Sequence, residues 1–304
     1  MFRSVILCVL VGVSAAAFGA DQWVVSPPRR SANQSTWYPR PLEYRGGTIR
    51  SIDRDRCQYL DAEGRLQSLP SYRILAAAPE SPAAAQVQWS DIYLRRRDAI
   101  AKADTTAITK LDIELVSRFV PAMQSRPPVW RQQWMTAVTS GALMRMGRLA
   151  NAYSLIEQLD ERSLPPMTIA ELPIAGFHLD ALDGTATTAG VAGDTERLES
   201  RSVCVRLVAA SRLLGSPRRG DAIAVLGKLS RAKDRPSVAA FARMLLLSVA
   251  PRSDLESRVD DVKRQLEKLP LVLRGGPTHR LATVYRRYGM NEIADELQAI
   301  AGAL

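Results

Sequence analysis

The chain has 304 residues, 46% of them hydrophobic and 24% charged, with a formal net charge of +10. That length bounds it to one large or two modest domains. The composition lets the main body bury a core and excludes a chain disordered throughout. Arg supplies 35 of the 41 basic residues. These are scattered among acidic residues, which predicts a solvated, mixed-charge surface rather than a nucleic-acid strip.

In chain order, residues 1–20 read as a signal peptide: Arg3, an apolar run from Val5 to Val13, and a small-residue tail from Ala15 to Ala20. The expected products are an exported protein, periplasmic or extracellular, and no membrane span once the signal is cleaved. Export permits a Cys57–Cys204 disulfide. The two lie in different predicted domains, however, so two separate, half-buried thiols are the expectation and the bridge the alternative, and there is no CxxC or metal-ligand spacing. Residues 21–44 hold Pro27, Pro28, Pro39 and Pro41 with Trp23, Trp37 and Tyr38, and predict an extended linker or arm.

Residues 45–75 change character. The short runs GGTIRSI, CQYL and RLQSL alternate with turns at Asp53-Arg54-Asp55 and Asp61-Ala62-Glu63-Gly64. This predicts a compact antiparallel β module. The outline resembles small SH3-like or Sm-like barrels, and that resemblance implies an interaction module.

Residues 76–88 are Ala/Pro-rich and predict a linker into a helical domain, residues 89–304. Helices are expected at Trp89–Ala103 and Thr105–Met123. A hairpin follows from Val129 to Asp160, jointed at Met146-Gly147-Arg148. Its first helix carries Trp130, Trp134, Ala137, Val138 and Gly141 on one stripe, its second Leu149, Ala152, Leu155, Ile156 and Leu159 on another. Residues 163–195 form an irregular insert with Pro165, Pro166, Pro173, Gly176, Gly184, Gly190 and Gly193. Further helices are expected at Glu196–Leu214, Arg218–Arg231, Pro236–Ala250, Asp254–Leu269, Pro277–Tyr288 and Asn291–Ala301.

Three of the second helices align on an alanine. Ala152, Ala222 and Ala294 stand 70 and 72 residues apart, close to twice a period of about 34 residues. Leu155, Val225 and Leu297 follow three residues after each. On Gly147, Ala152, Pro165, Ala222, Pro236, Tyr285, Gly289 and Ala294, the carboxyl two-thirds resembles a tetratricopeptide-like helical-repeat family. The Trp-Leu-Gly-Tyr pattern of a first helix is missing from most copies. The resemblance implies a mainly α fold of stacked hairpins, an α-solenoid preceded by the small β module, with a concave surface for a protein or peptide.

No residue is assigned a catalytic, cofactor-binding or metal-ligating role. His178, near Asp180 and Asp183, is the nearest approach to a metal or general-base cluster, and capping aspartates in a turn-rich loop account for it as well. His279 is expected to begin a helix, and Arg95-Arg96-Arg97 to fan around one as a solvated face. The reading is an exported, non-enzymatic interaction or scaffold protein needing no cofactor, with a protein or peptide partner. The alternatives are binding of an anionic envelope polymer through the basic surface and, third, an enzyme with a site near His178.

Overall fold

A computed structural model describes residues 21–27, 42–78, 83–177 and 188–303. The predicted signal peptide, most of the predicted arm, and His178, Asp180 and Asp183 lie outside the described residues. The chain is mainly α, with a small antiparallel β sheet on its N-terminal side. Among the described residues, no helix is long and apolar enough to cross a membrane.

The sheet has five strands: β1 (Asp21–Val25), β2 (Glu43–Ile52), β3 (Arg56–Leu60), β4 (Leu66–Pro70) and β5 (Ile74–Ala78). Their order is β4-β3-β2-β1-β5, every pairing is antiparallel, and a 3-10 turn at Ser71–Arg73 joins β4 to β5. Alternation sets its two faces. Ile49, Ile52, Cys57, Tyr59 and Leu69 point into a core, while Thr48, Arg50, Arg56, Gln58 and Ser68 are exposed. The aspartate turns form as the residues require. The Asp53 carboxylate accepts from the Asp55 and Arg56 N–H groups, both at 2.8 Å, and Asp61 accepts from Glu63 and Arg65 at 3.1 and 2.9 Å.

The sheet extends past the expected 45–75. Asp21–Val25, expected within the arm, is a strand between β2 and β5. Ala76–Ala78, expected as linker, completes β5. Both segments are short and carry little periodicity of their own. They become strands through neighbours that sequence separation conceals.

Thirteen helices follow among the described residues: α1 (Ala84–Ala101), α2 (Thr105–Gln124), α3 (Val129–Arg145), α4 (Leu149–Glu157), α5 (Pro166–Ile169), α6 (Thr188–Arg197), α7 (Val203–Leu213), α8 (Arg219–Leu229), α9 (Pro236–Leu247), α10 (Arg252–Ser257), α11 (Val259–Lys268), α12 (Leu271–Arg287) and α13 (Asn291–Ala303). Where one helix was expected at Glu196–Leu214 there are two: α6 ends at Arg197, and Ser202 caps a new start by accepting from the Val205 N–H. The Asp254–Leu269 helix is likewise split at Arg258. The helix expected from Pro277 begins at Leu271 and runs through Gly275-Gly276-Pro277, so His279 lies within α12 rather than at its start.

The hairpin joints share one device. After α3 the Gly147 N–H donates to Met144 and the Arg148 N–H to Leu143, at 3.1 and 2.9 Å. After α12, Gly289 and Met290 repeat the pattern, both at 3.0 Å, and both glycines hold positive φ, 74° and 78°. The same cap follows α1, where Ala103 occupies the left-handed position at φ 54°. The α1–α2 pair is therefore a further copy of the joint, hidden in the sequence because alanine stands where glycine is usual.

Two cores form. One combines the inner sheet face with α1, α2 and one side of α3; the other gathers α4 through α13 and the opposite side of α3. Helix α3 is their shared wall, and every residue from Trp134 to Met144 is buried. Over that length it has no solvent face, so a single buried stripe understates it. Ser140 and Ala142, off the stripe, let neighbours close in on the sides it left open.

Candidate functional site: the seam between sheet and helices

The polar groups with chemistry to offer collect where the sheet meets the helices. Asp21, at the start of β1, is 5% exposed. Its carboxylate accepts from the Ile49 N–H at 2.7 Å and pairs with Arg131 of α3 at 3.2 Å. Arg131 also donates to Gln86 of α1 at 2.6 Å, and Gln86 donates to the Ser125 hydroxyl at 2.7 Å. Burial pushes the Arg131 guanidinium below its ordinary value, and the Asp21 charge opposes that shift. Around this chain sit aromatics. Trp134 meets Trp89 and Tyr93 edge-on at 5.2 and 4.8 Å, and Trp23 meets Tyr59 at 5.0 Å. Trp130 and Trp134 are core, as their spacing implied.

A second ionic group ties α1, α2 and α3. Asp112 is 2% exposed and accepts from Arg96 at 2.6 Å and from Arg145 at 2.7 and 2.8 Å. Beside it, the Tyr93 hydroxyl donates to Glu171 at 2.7 Å, with Arg97 at 3.4 Å. Burial raises the Tyr93 pKa, reinforced by the Glu171 charge. The Arg95-Arg96-Arg97 run is thus a solvated face only at Arg95. Arg96 is 4% exposed because Asp112, sixteen residues on, supplies its counter-charge.

The third feature is the stretch 163–177, within the predicted irregular insert. Leu164, Met167, Ile169, Leu172, Ile174 and Phe177 are all buried. Its backbone is held by side chains from distant helices: the Ala175 N–H donates to Ser211 of α7 at 2.9 Å, and the Ala175 carbonyl accepts from Arg280 of α12 at 3.1 Å. Arg280 also donates to Ser248 at 2.8 Å, and Phe177 meets Phe241 of α9 edge-on at 5.1 Å. These contacts satisfy backbone groups that an irregular buried segment would otherwise leave unmade. The stretch is a strap through the middle of the helical body. Helices α5 and α12 also touch β5 and the Ser71–Arg73 turn, so late helices return to the start of the chain.

Beyond the strap, Asp194 of α6 is wholly buried between the Tyr153 hydroxyl and Arg212, at 2.5 and 2.9 Å. Glu161 accepts from the Ser202 hydroxyl and from the Cys204 N–H, closing the start of α7. Cys57 and Cys204 are separate buried thiols. Burial pushes Cys57 up to about 12 and raises Cys204 well above its ordinary value, which leaves both as poor nucleophiles at neutral pH. Among the described residues, no three His, Cys, Asp or Glu side chains are grouped to hold a metal ion.

These clusters fasten elements together across the fold. The alanines of the repeat argument, Ala152, Ala222 and Ala294, are all 0% exposed, each on the second arm of a hairpin. Sequence reasoning missed Asp21, Asp112 and Asp194, whose only local mark is a carboxylate in an apolar neighbourhood. Large apolar side chains are exposed both on the β module, where Tyr44, Leu66 and Tyr72 are 48%, 64% and 43% exposed, and on the helices, at Val87, Ile113, Val120, Val129 and Ile223. Compared with known proteins, the chain matches no family model, no curated protein and no solved structure.

Proposed function

We propose that this is an exported, non-enzymatic interaction protein in which a tetratricopeptide-like helical body carries a small barrel-like β module, and that the module makes the contact. One observation carries the reading. Residues 163–177 are buried against α7, α9 and α12 of the same chain, while the β module offers exposed Tyr44 and Leu66 on its strands, with polar Thr48, Gln58 and Ser68, and exposed Tyr72 on the 3-10 turn. Tyrosines at the edge of a polar face are characteristic of protein contacts. The shared joint at Ala103, Gly147 and Gly289 supports the helical-repeat reading, and β1 held between β2 and β5 supports the barrel-like one. The basic charge supports polymer binding less well, because Arg65, Arg197, Arg218 and Arg286 are each paired with a carboxylate.

The test is photo-cross-linking in the cell envelope, with a photoreactive residue at Tyr44 or Tyr72 and a control at Ile223 on α8. The reading expects one protein, the same from both tyrosine positions and absent from the control. An adduct with an anionic polymer, released as salt rises, would replace it with the polyanion reading. Equal labelling at Ile223 would defeat the assignment to the β module.

A further inference from the structure

We propose that the open edge of β4 takes an extended, acidic segment of a partner protein as an added strand. The inference rests on the reading that the β module makes the contact, and names what the module would take. Strands β4 and β5 are the two edges of the sheet. Strand β5 is packed by α5 and α12, and Ile74 to Ala77 are buried or half-buried. Strand β4 pairs with β3 alone, and its Leu66, Gln67, Ser68 and Pro70 are exposed. It carries no charge, and its only proline is its last residue, so the usual guards of an open edge are missing.

The register shows which backbone groups are left over. The Asp61 N–H donates to the Arg65 carbonyl and the Ser71 N–H to the Asp55 carbonyl, at 3.1 and 3.0 Å. Between these two bonds Tyr59 stands opposite Gln67 and Cys57 opposite Leu69. Alternation therefore turns the Gln67 and Leu69 backbone toward β3. The Leu66 and Ser68 N–H groups, with the Leu66, Ser68 and Pro70 carbonyls, point away from the sheet. Nothing among the described residues pairs with them. An extended backbone offers donors and acceptors at the matching spacing.

Charge chooses the occupant. Arg50 and Arg56 are exposed on the outer face and have no ion-pair partner among the described residues. Arg56 stands opposite Pro70. An added strand would lie two strand spacings from β3, about 10 Å, which an arginine and a glutamate reaching toward each other can close. At the other end of β4, Leu66 is 64% exposed and suits an apolar neighbour. Every pairing in the sheet is antiparallel. The fitting segment therefore runs from Pro70 toward Leu66, with an acidic residue first and an apolar one four residues later. A second copy fits poorly: its β5 edge is packed by helices, and its β4 would set two cationic faces side by side.

The test is amide NMR of the whole chain from Asp21, titrated with a blocked threonine peptide that carries one glutamate and, four residues later, one valine. A dissociation constant of about 1 mM or tighter is expected. Amide exchange should slow at Leu66 and Ser68 and change little at Gln67 and Leu69. Replacing the glutamate by lysine, or reversing the order of glutamate and valine, should weaken binding about threefold or more. Ser68→Pro removes an outward N–H, which an edge strand tolerates, and should abolish binding. Arg56→Glu should weaken the glutamate peptide about fivefold and turn the preference to the lysine peptide. An unchanged far-UV spectrum checks the folding of both variants. No binding, binding that ignores Ser68→Pro, or protection away from β4 overturns the inference. So does a dimer that Ser68→Pro dissolves, which would give the edge to a second copy. The photo-cross-linking above separates the two readings. A tyrosine adduct that survives Ser68→Pro keeps the β module as the contact and rejects the edge. Peptide bound at β4 with no tyrosine adduct in the envelope keeps the edge and rejects the module reading.

Discussion

Gly276→Ala isolates the contact between α12 and the strap at 163–177. By helix propensity alone the change should stabilise, since Ala in a helix interior is favoured over Gly by about 1 kcal/mol. The tertiary structure reverses the sign. A Cβ on Gly276 would stand 2.2 Å from the Phe177 carbonyl oxygen and 2.9 Å from both its carbonyl carbon and its Cβ. Those are mostly backbone atoms, and they cannot move freely. Ala175, two residues back, is tied to Ser211 and Arg280, and the Phe177 ring is packed on Phe241. Relieving such overlap costs about 3 kcal/mol, at the upper end of overpacking penalties, so the net effect is a loss of about 2 kcal/mol. For a chain of this size that lowers the melting temperature by roughly 4 to 8 °C. Urea unfolding followed by far-UV circular dichroism measures it. Gly220→Ala and Gly227→Ala on α8 are the controls. Nothing lies within 4 Å of either added methyl, and each should gain about 0.5 to 1 kcal/mol. If Gly276→Ala proved as stable as the parent while the controls gained, α12 and the strap would not be in contact as described.

Other outcomes follow from the same contacts. Ala103→Gly should stabilise by about 1 kcal/mol in thermal melts, because it relieves a left-handed L-residue in the α1 cap. Asp112→Asn should destabilise by about 3 to 5 kcal/mol in urea titrations, since Arg96 and Arg145 then share a neutral partner in a buried site; a loss under 1 kcal/mol would show that the pair is solvated. Burial raises the Cys57 thiol from 9.0 to about 12, so its contribution is fully present below pH 9 and is lost as pH rises toward 12. Cys57→Ala should flatten the alkaline fall in stability, as followed by denaturant titrations across that window.

Helix α12 reaches the Ser71–Arg73 turn and α5 reaches β5, so the helical body is not a run of units that each touch only their neighbours. Among the described residues, large exposed apolar side chains lie on the β module and at helix positions such as Val87, Ile113, Val120, Val129 and Ile223.

The α3–α4 hairpin, the Gly147 and Gly289 joints, the aspartate turns and the buried alanines at 152, 222 and 294 were legible in the sequence. Each is a local matter: a 3.6-residue period, a left-handed cap, a carboxylate reaching its own backbone. Tertiary structure alone decided the rest. Asp21–Val25 is a strand because β2 and β5 flank it. Arg96 is buried because Asp112 and the α3 wall enclose it. The stretch 163–177, which carries the marks of a loop, is core because Ser211 and Arg280 satisfy its backbone. Hydrogen-bond partners and counter-charges that lie tens to a hundred residues away leave no periodicity in the segment they stabilise.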